Sequence, residues 1–212
     1  MKKTLLTVLL FCIPVALHGQ SFAIKANAGS MGLGLEAAVQ LHDKVNVRAG
    51  GNFFGLSYLY ETDADDEFDL DASLNLSMFS ALVDWHPFDS GFRLTGGLVY
   101  NNNSMNAGLL PKQEYEVGGD VYGPDELGTL DAEFTFNAFA PYLALGFGNA
   151  FTGSSFGMNM DIGWIFQGSP NVAMKADGLL KPSAEQAPQL QENMSWWTGY
   201  PVFTLSFYYR IN

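Results

Sequence analysis

The densest group of reactive side chains in this chain is the acidic run Glu61-Thr-Asp-Ala-Asp-Asp-Glu-Phe-Asp-Leu-Asp71. Asp63, Asp65, Asp66, Glu67 and Asp69 are the residue types that hold a hard divalent cation through oxygen. The run lacks the central glycine and the final bidentate glutamate with which an EF-hand wraps its ion. A solvated acidic loop is therefore the first expectation, with weak divalent-cation binding as the alternative. His42 and His86 lie far apart in sequence, each at a short connection and outside any cluster of histidines, which fits rim or turn positions better than catalysis or metal binding. The string Gly153-Ser-Ser-Phe-Gly157 matches GxSxG in letters but leads into a period-two strand and not a helix, so it makes no nucleophile elbow, and no HExxH helix or phosphate-binding loop is present. No enzyme activity, cofactor or metal site is expected.

A second group of charges is sparser. Lys25, Glu36, Arg48, Arg93, Asp161 and Arg210 are set singly into segments of apolar, small and neutral polar residues. Where such charges share an interior, they must pair, because an unpaired buried charge is very costly. Mutual pairing would plug that interior. A narrow polar conduit or small-ligand pocket is the alternative.

Period-two alternation dominates the chain. Leu33, Leu35, Ala37, Val39 and Leu41 oppose Gly34, Glu36, Ala38 and Gln40. Phe92, Leu94, Gly96, Leu98 and Tyr100 oppose Arg93, Thr95, Gly97 and Asn101. Phe156, Met158, Met160, Ile162, Trp164 and Phe166 oppose Gly157, Asn159, Asp161, Gly163 and Gln167. At the C-terminus Pro201, Phe203, Leu205, Phe207, Tyr209 and Ile211 share one face. These are strands with one apolar and one polar side. The spacing predicts eight, over about 22–29, 31–41, 45–60, 68–86, 91–102, 130–148, 154–176 and 198–212. A tight turn at 29–32 separates the first two. Phase slips are expected near Phe53 and at 138–141, and a kink at Gly168-Ser-Pro170. The fourth and seventh strands exceed the membrane requirement of about 9–11 residues, so they should protrude. Residues 103–129 and 177–197 should be long loops, the latter with a short helix over 184–193 behind the capping box Ser183-Ala-Glu-Gln186.

Residues 1–19 have the form of a secretory signal peptide, with Lys2 and Lys3 before the apolar stretch 5–17; cleavage after residue 23 is the alternative. Cys12, the only cysteine, lies inside it. The remaining chain, 20–212, then forms one domain with 8 basic and 22 acidic residues, a net charge of −14 that opposes nucleic-acid binding. No later apolar run is long enough for a membrane helix, which needs about 20 residues. A membrane-spanning chain of this kind must be a closed barrel, since lipid satisfies no backbone hydrogen bond. Alternating short and long connections give an antiparallel up-and-down transmembrane barrel with short turns in the periplasm. Lys25, Glu36, Arg48, Arg93, Asp161 and Arg210 then face the lumen. In the second hairpin, a turn that sets Leu41 opposite Val45 sets Ala38 opposite Arg48 and makes Glu36 its diagonal neighbour, about 7–8 Å away. Trp85, Tyr100, Trp164, Trp196, Trp197, Tyr208 and Tyr209 fall near strand ends, where interface girdles lie.

With these strands and the terminal FTLSFYYRI in hand, the chain resembles the small outer-membrane barrels of the OmpA, OmpX and OmpW type. The segments ALVDWHPFDSGFRLTGGLVYNNN and APYLALGFGNA look like uncharacterised outer-membrane proteins of that superfamily. Members usually end in an aromatic residue; here Ile211 takes that place and Asn212 follows. The resemblance implies an all-β fold, the outer membrane of a Gram-negative bacterium, contact with lipid and lipopolysaccharide, and recognition of the last strand by the barrel-assembly machinery. It implies no catalytic residue. The expected function is structural or surface-interacting, through acidic loops over a plugged lumen. An OmpW-like conduit for small hydrophobic molecules is the alternative. A soluble lipocalin-like carrier, apolar inside and polar outside, is the further one.

Overall fold

The structure is a computed structural model that describes residues 21–60 and 68–211. The signal-peptide stretch before residue 20 lies outside the described residues, as do Asp63, Asp65, Asp66 and Glu67 of the acidic run. Eight antiparallel strands close into a ring. They are β1 (Phe22–Gly29), β2 (Gly32–His42), β3 (Val45–Tyr60), β4 (Phe68–Trp85), β5 (Phe92–Asn101), β10 (Phe139–Phe147), β11 (Phe156–Ile165) and β13 (Tyr200–Arg210). β13 closes the barrel on β1 through Ala23↔Arg210 to Gly29↔Thr204. Closure leaves no free edge within the ring, the condition for crossing lipid with strands.

Five further strands lie outside the ring: β6 (Ser104–Pro111), β7 (Tyr115–Val117), β8 (Asp120–Tyr122), β9 (Leu130–Thr135) and β12 (Asn171–Ala176). β7 and β8 form a separate small hairpin. The others build a wall above the barrel. The upper part of β4 leaves β5 and pairs with β6, β6 pairs with β9, and β9 with β12. The segment 103–129, expected as loop, thus contributes β6, the β7–β8 hairpin and the short helix α1 (Pro124–Leu127). The two long predicted strands are each broken. Residues 136–138 separate β9 from β10, and 166–170, with Gly168 at φ 72°, separate β11 from β12. At each break the chain changes strand partners, which a single straight ladder cannot do.

Other expectations need correction. β3 shows no slip at Phe53: it pairs without interruption with β4 from Val45↔Trp85 to Tyr60↔Leu70. Phe53 and Phe54 are simply apolar on opposite faces. A register shift does occur between Gln40 and His42, so His42 and not Leu41 pairs with Val45, while Ala38 still faces Arg48. After β12 the chain runs through a 3-10 stretch, Gly178–Gln186, into α2 (Ala187–Asn193). Ser183 caps nothing, because the α-helix begins at Ala187 with no side-chain cap.

The wall has two faces of opposite character. One row of paired residues runs Tyr58, Ala72, Ala107, Ala132, Met174 across five strands, and another runs Leu56, Leu74, Met105, Phe134, Val172. Both continue the lumen face of β3 and β4. The row between them, Ser57, Ser73, Asn106, Glu133 and Ala173, is mainly polar and faces away. The wall is tall only on one side of the ring. Across from it, β1 and β2 end at the tight turn Ser30–Met31.

Candidate functional site: the barrel lumen and its rims

Around the ring, apolar side chains point out and polar ones in. Leu33 is 68% exposed and Phe139 70%, whereas Arg93 is 1% exposed and Ser206 fully buried. A water-soluble carrier would have the reverse arrangement, so the lipocalin-like expectation is overturned. The belt is edged with aromatics. At one rim Tyr100 packs edge-on to Phe139 and Phe53 to Phe79, each pair with centroids 5.4 Å apart. Trp85 and Tyr209 are exposed at the opposite, short-turn rim, and Trp164 is exposed at the upper end of β11. Trp196 is exposed just before β13, while Trp197 stacks edge-on to Phe136. Tyr208 departs from the expected girdle. It is buried in the lumen, in van der Waals reach of Gly157.

The strand phase brings five of the six predicted charges into one buried cluster. Arg48 Nη1 donates to Glu36 at 3.0 and 3.2 Å. Its Nε donates to Asp84 Oδ1 at 3.1 Å, and its Nη2 lies 3.4 Å from Asp161 Oδ1. Arg93 Nη2 donates to both Asp161 oxygens at 2.8 Å, while its Nε lies 3.6 Å from Asp84. Thr95 Oγ1 completes the Asp84 carboxylate at 2.7 Å. Lys25 is buried nearby, and Asn159, with its amide turned to satisfy both neighbours, accepts from Lys25 Nζ at 3.2 Å. Three cations, Lys25, Arg48 and Arg93, therefore balance three carboxylates, Glu36, Asp84 and Asp161.

Arg210 does not join them. It lies at the rim and donates to the Gly153 carbonyl at 2.8 Å. Asp84 is the member that sequence reasoning missed. Its signal was available: it sits in phase with Ser80 and Leu82 on the lumen side of a strand whose other face is Phe79, Ala81, Val83 and Trp85. Room for the cluster comes from glycine. A Cβ at Gly146 would fall 2.6 Å from Arg93 Nε and 2.7 Å from Asp161 Oδ1.

Above the charges the lumen is mixed: Met31, Met78, Val99, Ile165 and Val202 pack together, with buried Asn52, Asn101 and Gln167 among them, Asn101 Nδ2 donating to Gln167 Oε1 at 3.2 Å. Below the charges, toward the short turns, His86 is buried with its Nε2 3.1 Å from Asn46 Nδ2, which also donates to Asn149 at 3.3 Å. Burial, and after it the positive charge of Arg93, hold the His86 imidazole below its usual pKa. His42 is exposed at the end of β2. Among the described residues no group of three or more His, Cys, Asp or Glu is arranged to hold a metal ion. Asp69, the described member of the candidate cation loop, forms an ion pair with Lys112 at 3.1 Å.

No protein-family model matches this chain, and no curated protein does. Solved structures do. CarO2 of Acinetobacter baumannii superposes with a TM-score of 0.60 over 90% of this chain and 98% of its own, at 16% identity. CarO of the same organism gives 0.57 over 88% and 96%, at 18% identity. The fold is that of a small outer-membrane β-barrel. Together with the exposed apolar belt and its aromatic edges, it places the chain in the bacterial outer membrane.

Proposed function

We propose that this protein is a closed barrel that carries no solute through its lumen and acts at the cell surface through its extracellular side. One observation supports this above the others. Arg48 and Asp161 stand on diametrically opposite strands and are 3.4 Å apart, so the charge cluster crosses the whole lumen. Eight strands enclose little more than side chains, and here those side chains bind one another. The outer-membrane lipid and lipopolysaccharide would meet the belt, and the assembly machinery would meet β13. The acidic run would stay solvated or hold divalent cations loosely. No enzymatic role is proposed: His42 and His86 lie at the short-turn end, away from the outer leaflet.

The test is conductance and solute-swelling of liposomes holding the refolded protein. The expected result is no permeability above that of empty vesicles. A steady open conductance would overturn the reading. A conduit for small hydrophobic molecules is the second reading; the apolar cluster of Met31, Met78, Val99, Ile165 and Val202 favours it, and the buried Asn52, Asn101 and Gln167 beside that cluster oppose it. It requires lateral exit above the charge cluster, and uptake of a hydrophobic dye into vesicles by wild type would support it over the closed barrel.

A further inference from the structure

The tall wall has two side edges, and they are treated differently. At the β12 edge, α2 lies alongside, and Val172 N donates to Gln191 Oε1 at 3.1 Å. At the other edge stands the upper part of β3, residues 54–60. β2 leaves β3 at Leu33↔Phe53, and no described residue pairs with β3 beyond that point on this side. Alternate residues of this seven-residue stretch therefore point backbone donors and acceptors to an edge that no described residue pairs, the others being bonded to β4. Natural sheets blunt such edges with lysine, proline, bulges or a covering element. Residues 54–60, Phe-Gly-Leu-Ser-Tyr-Leu-Tyr, hold no charge and no proline, and the ladder to β4 is regular.

The face beside this edge is unpartnered too. Leu56 is 54% exposed and Tyr58 60%, although both lie on the side of the wall that is apolar throughout and half-buried further along. Charge supplies the remaining constraint. From Tyr60 the chain passes directly into the acidic run 61–71, and the outer face of the wall carries the exposed Asp71, Asp131 and Glu133.

The geometry points to strand addition: the free edge of β3 at 54–60 takes up an extended polypeptide from another molecule, with apolar side chains on the wall's inner face and basic ones outward. Main-chain hydrogen bonds give such binding its strength and alternate side chains its selectivity. The added strand would stand above the short β1–β2 hairpin, where the wall is missing. The inference rests on the surface-acting reading above. Permeability tests that reading separately: peptide binding can fail while the barrel stays closed.

The experiment uses the full chain in detergent micelles at physiological salt and a fluorescein-labelled nonapeptide alternating isoleucine and lysine. Two control peptides are N-methylated, one at every isoleucine and one at every lysine. Successive residues of a strand point their N–H groups to opposite edges, so strand addition requires that one control loses at least about tenfold in affinity while the other binds as before. Tyr58→Lys should weaken binding to a similar degree with the barrel's heat-dependent gel mobility unchanged, and amides 54–60 should gain hydrogen-exchange protection with peptide. Equal behaviour of the two methylated controls overturns the inference, as does absence of binding by the unmethylated peptide. Efficient cross-linking of Ser57→Cys between two copies in the membrane also overturns it, by assigning the edge to self-pairing.

Discussion

Arg48 on β3 and Asp161 on β11 are 3.4 Å apart although three strands separate them around the ring in either direction. Contact at that span means that the barrel's opposite walls are tied through its axis. Arg48 is the centre of the tie, because it also holds Glu36 and Asp84. Arg48→Met would leave these two carboxylates buried with reduced compensation. Breaking a buried ionic group by deleting one partner costs about 3–5 kcal/mol. The urea midpoint for unfolding from lipid vesicles should fall accordingly. Arg48→Lys should restore little, since a compact ammonium lacks the planar fork whose Nη1, Nε and Nη2 face Glu36, Asp84 and Asp161 from three separate atoms. Glu36→Gln should also lower the midpoint, by less; an unchanged midpoint would remove Glu36 from the tie.

Gly146 should be as sensitive as the charges it accommodates. A valine there would put Cβ into the Arg93 guanidinium and the Asp161 carboxylate. Gly146→Val is expected to destabilise to the same degree as Asp161→Asn. The double variant should cost less than the sum of the two, because both break one contact. Additive losses in a double-mutant cycle would show that Gly146 acts elsewhere.

The difference between what the sequence disclosed and what it concealed follows from range. Alternation is a local property, and it placed the ring strands and sorted Lys25, Glu36, Arg48, Arg93 and Asp161 to one side. The diagonal between Glu36 and Arg48 survives the bulge at Gln40–His42 because the bulge lies below it. Which cations meet which anions is a three-dimensional matter: Arg93 and Asp161 are 68 positions apart and belong to strands with β10 between them. Asp84 escaped because a single carboxylate near the end of an apolar strand looks like part of the following turn. The wall escaped for a different reason. β6, β9 and β12 alternate for six to eight residues, and each is the continuation of a membrane strand past a break. Only their pairing shows that their apolar sides form one surface.

The lipid-facing assignment of β13 predicts a sign and a size. Leu205 points outward between the buried Thr204 and Ser206. Leu205→Arg should cost about 2–4 kcal/mol if it lies near the bilayer midplane, whereas Leu205→Phe should be nearly neutral. Folding into vesicles followed by urea unfolding measures both. An arginine tolerated as well as the phenylalanine would mean that this face does not meet hydrocarbon.

His86 predicts a pH dependence at the short-turn rim. Its imidazole is buried against Asn46, and burial with the nearby Arg93 charge depresses its pKa below the ordinary value of about 6.5. Below that ordinary pKa the unfolded chain takes up a proton that the folded chain resists. Unfolding is then favoured by acid, so stability is full above pH about 6.5 and declines as pH falls toward the lower folded value. His86→Gln keeps a polar group against Asn46 but cannot titrate. Between pH 7 and pH 5 its stability should fall less than that of wild type, measured by urea midpoints in neutral-lipid vesicles. Parallel curves for the two proteins would show that His86 is charged in both states or in neither, and the burial-driven shift would be wrong.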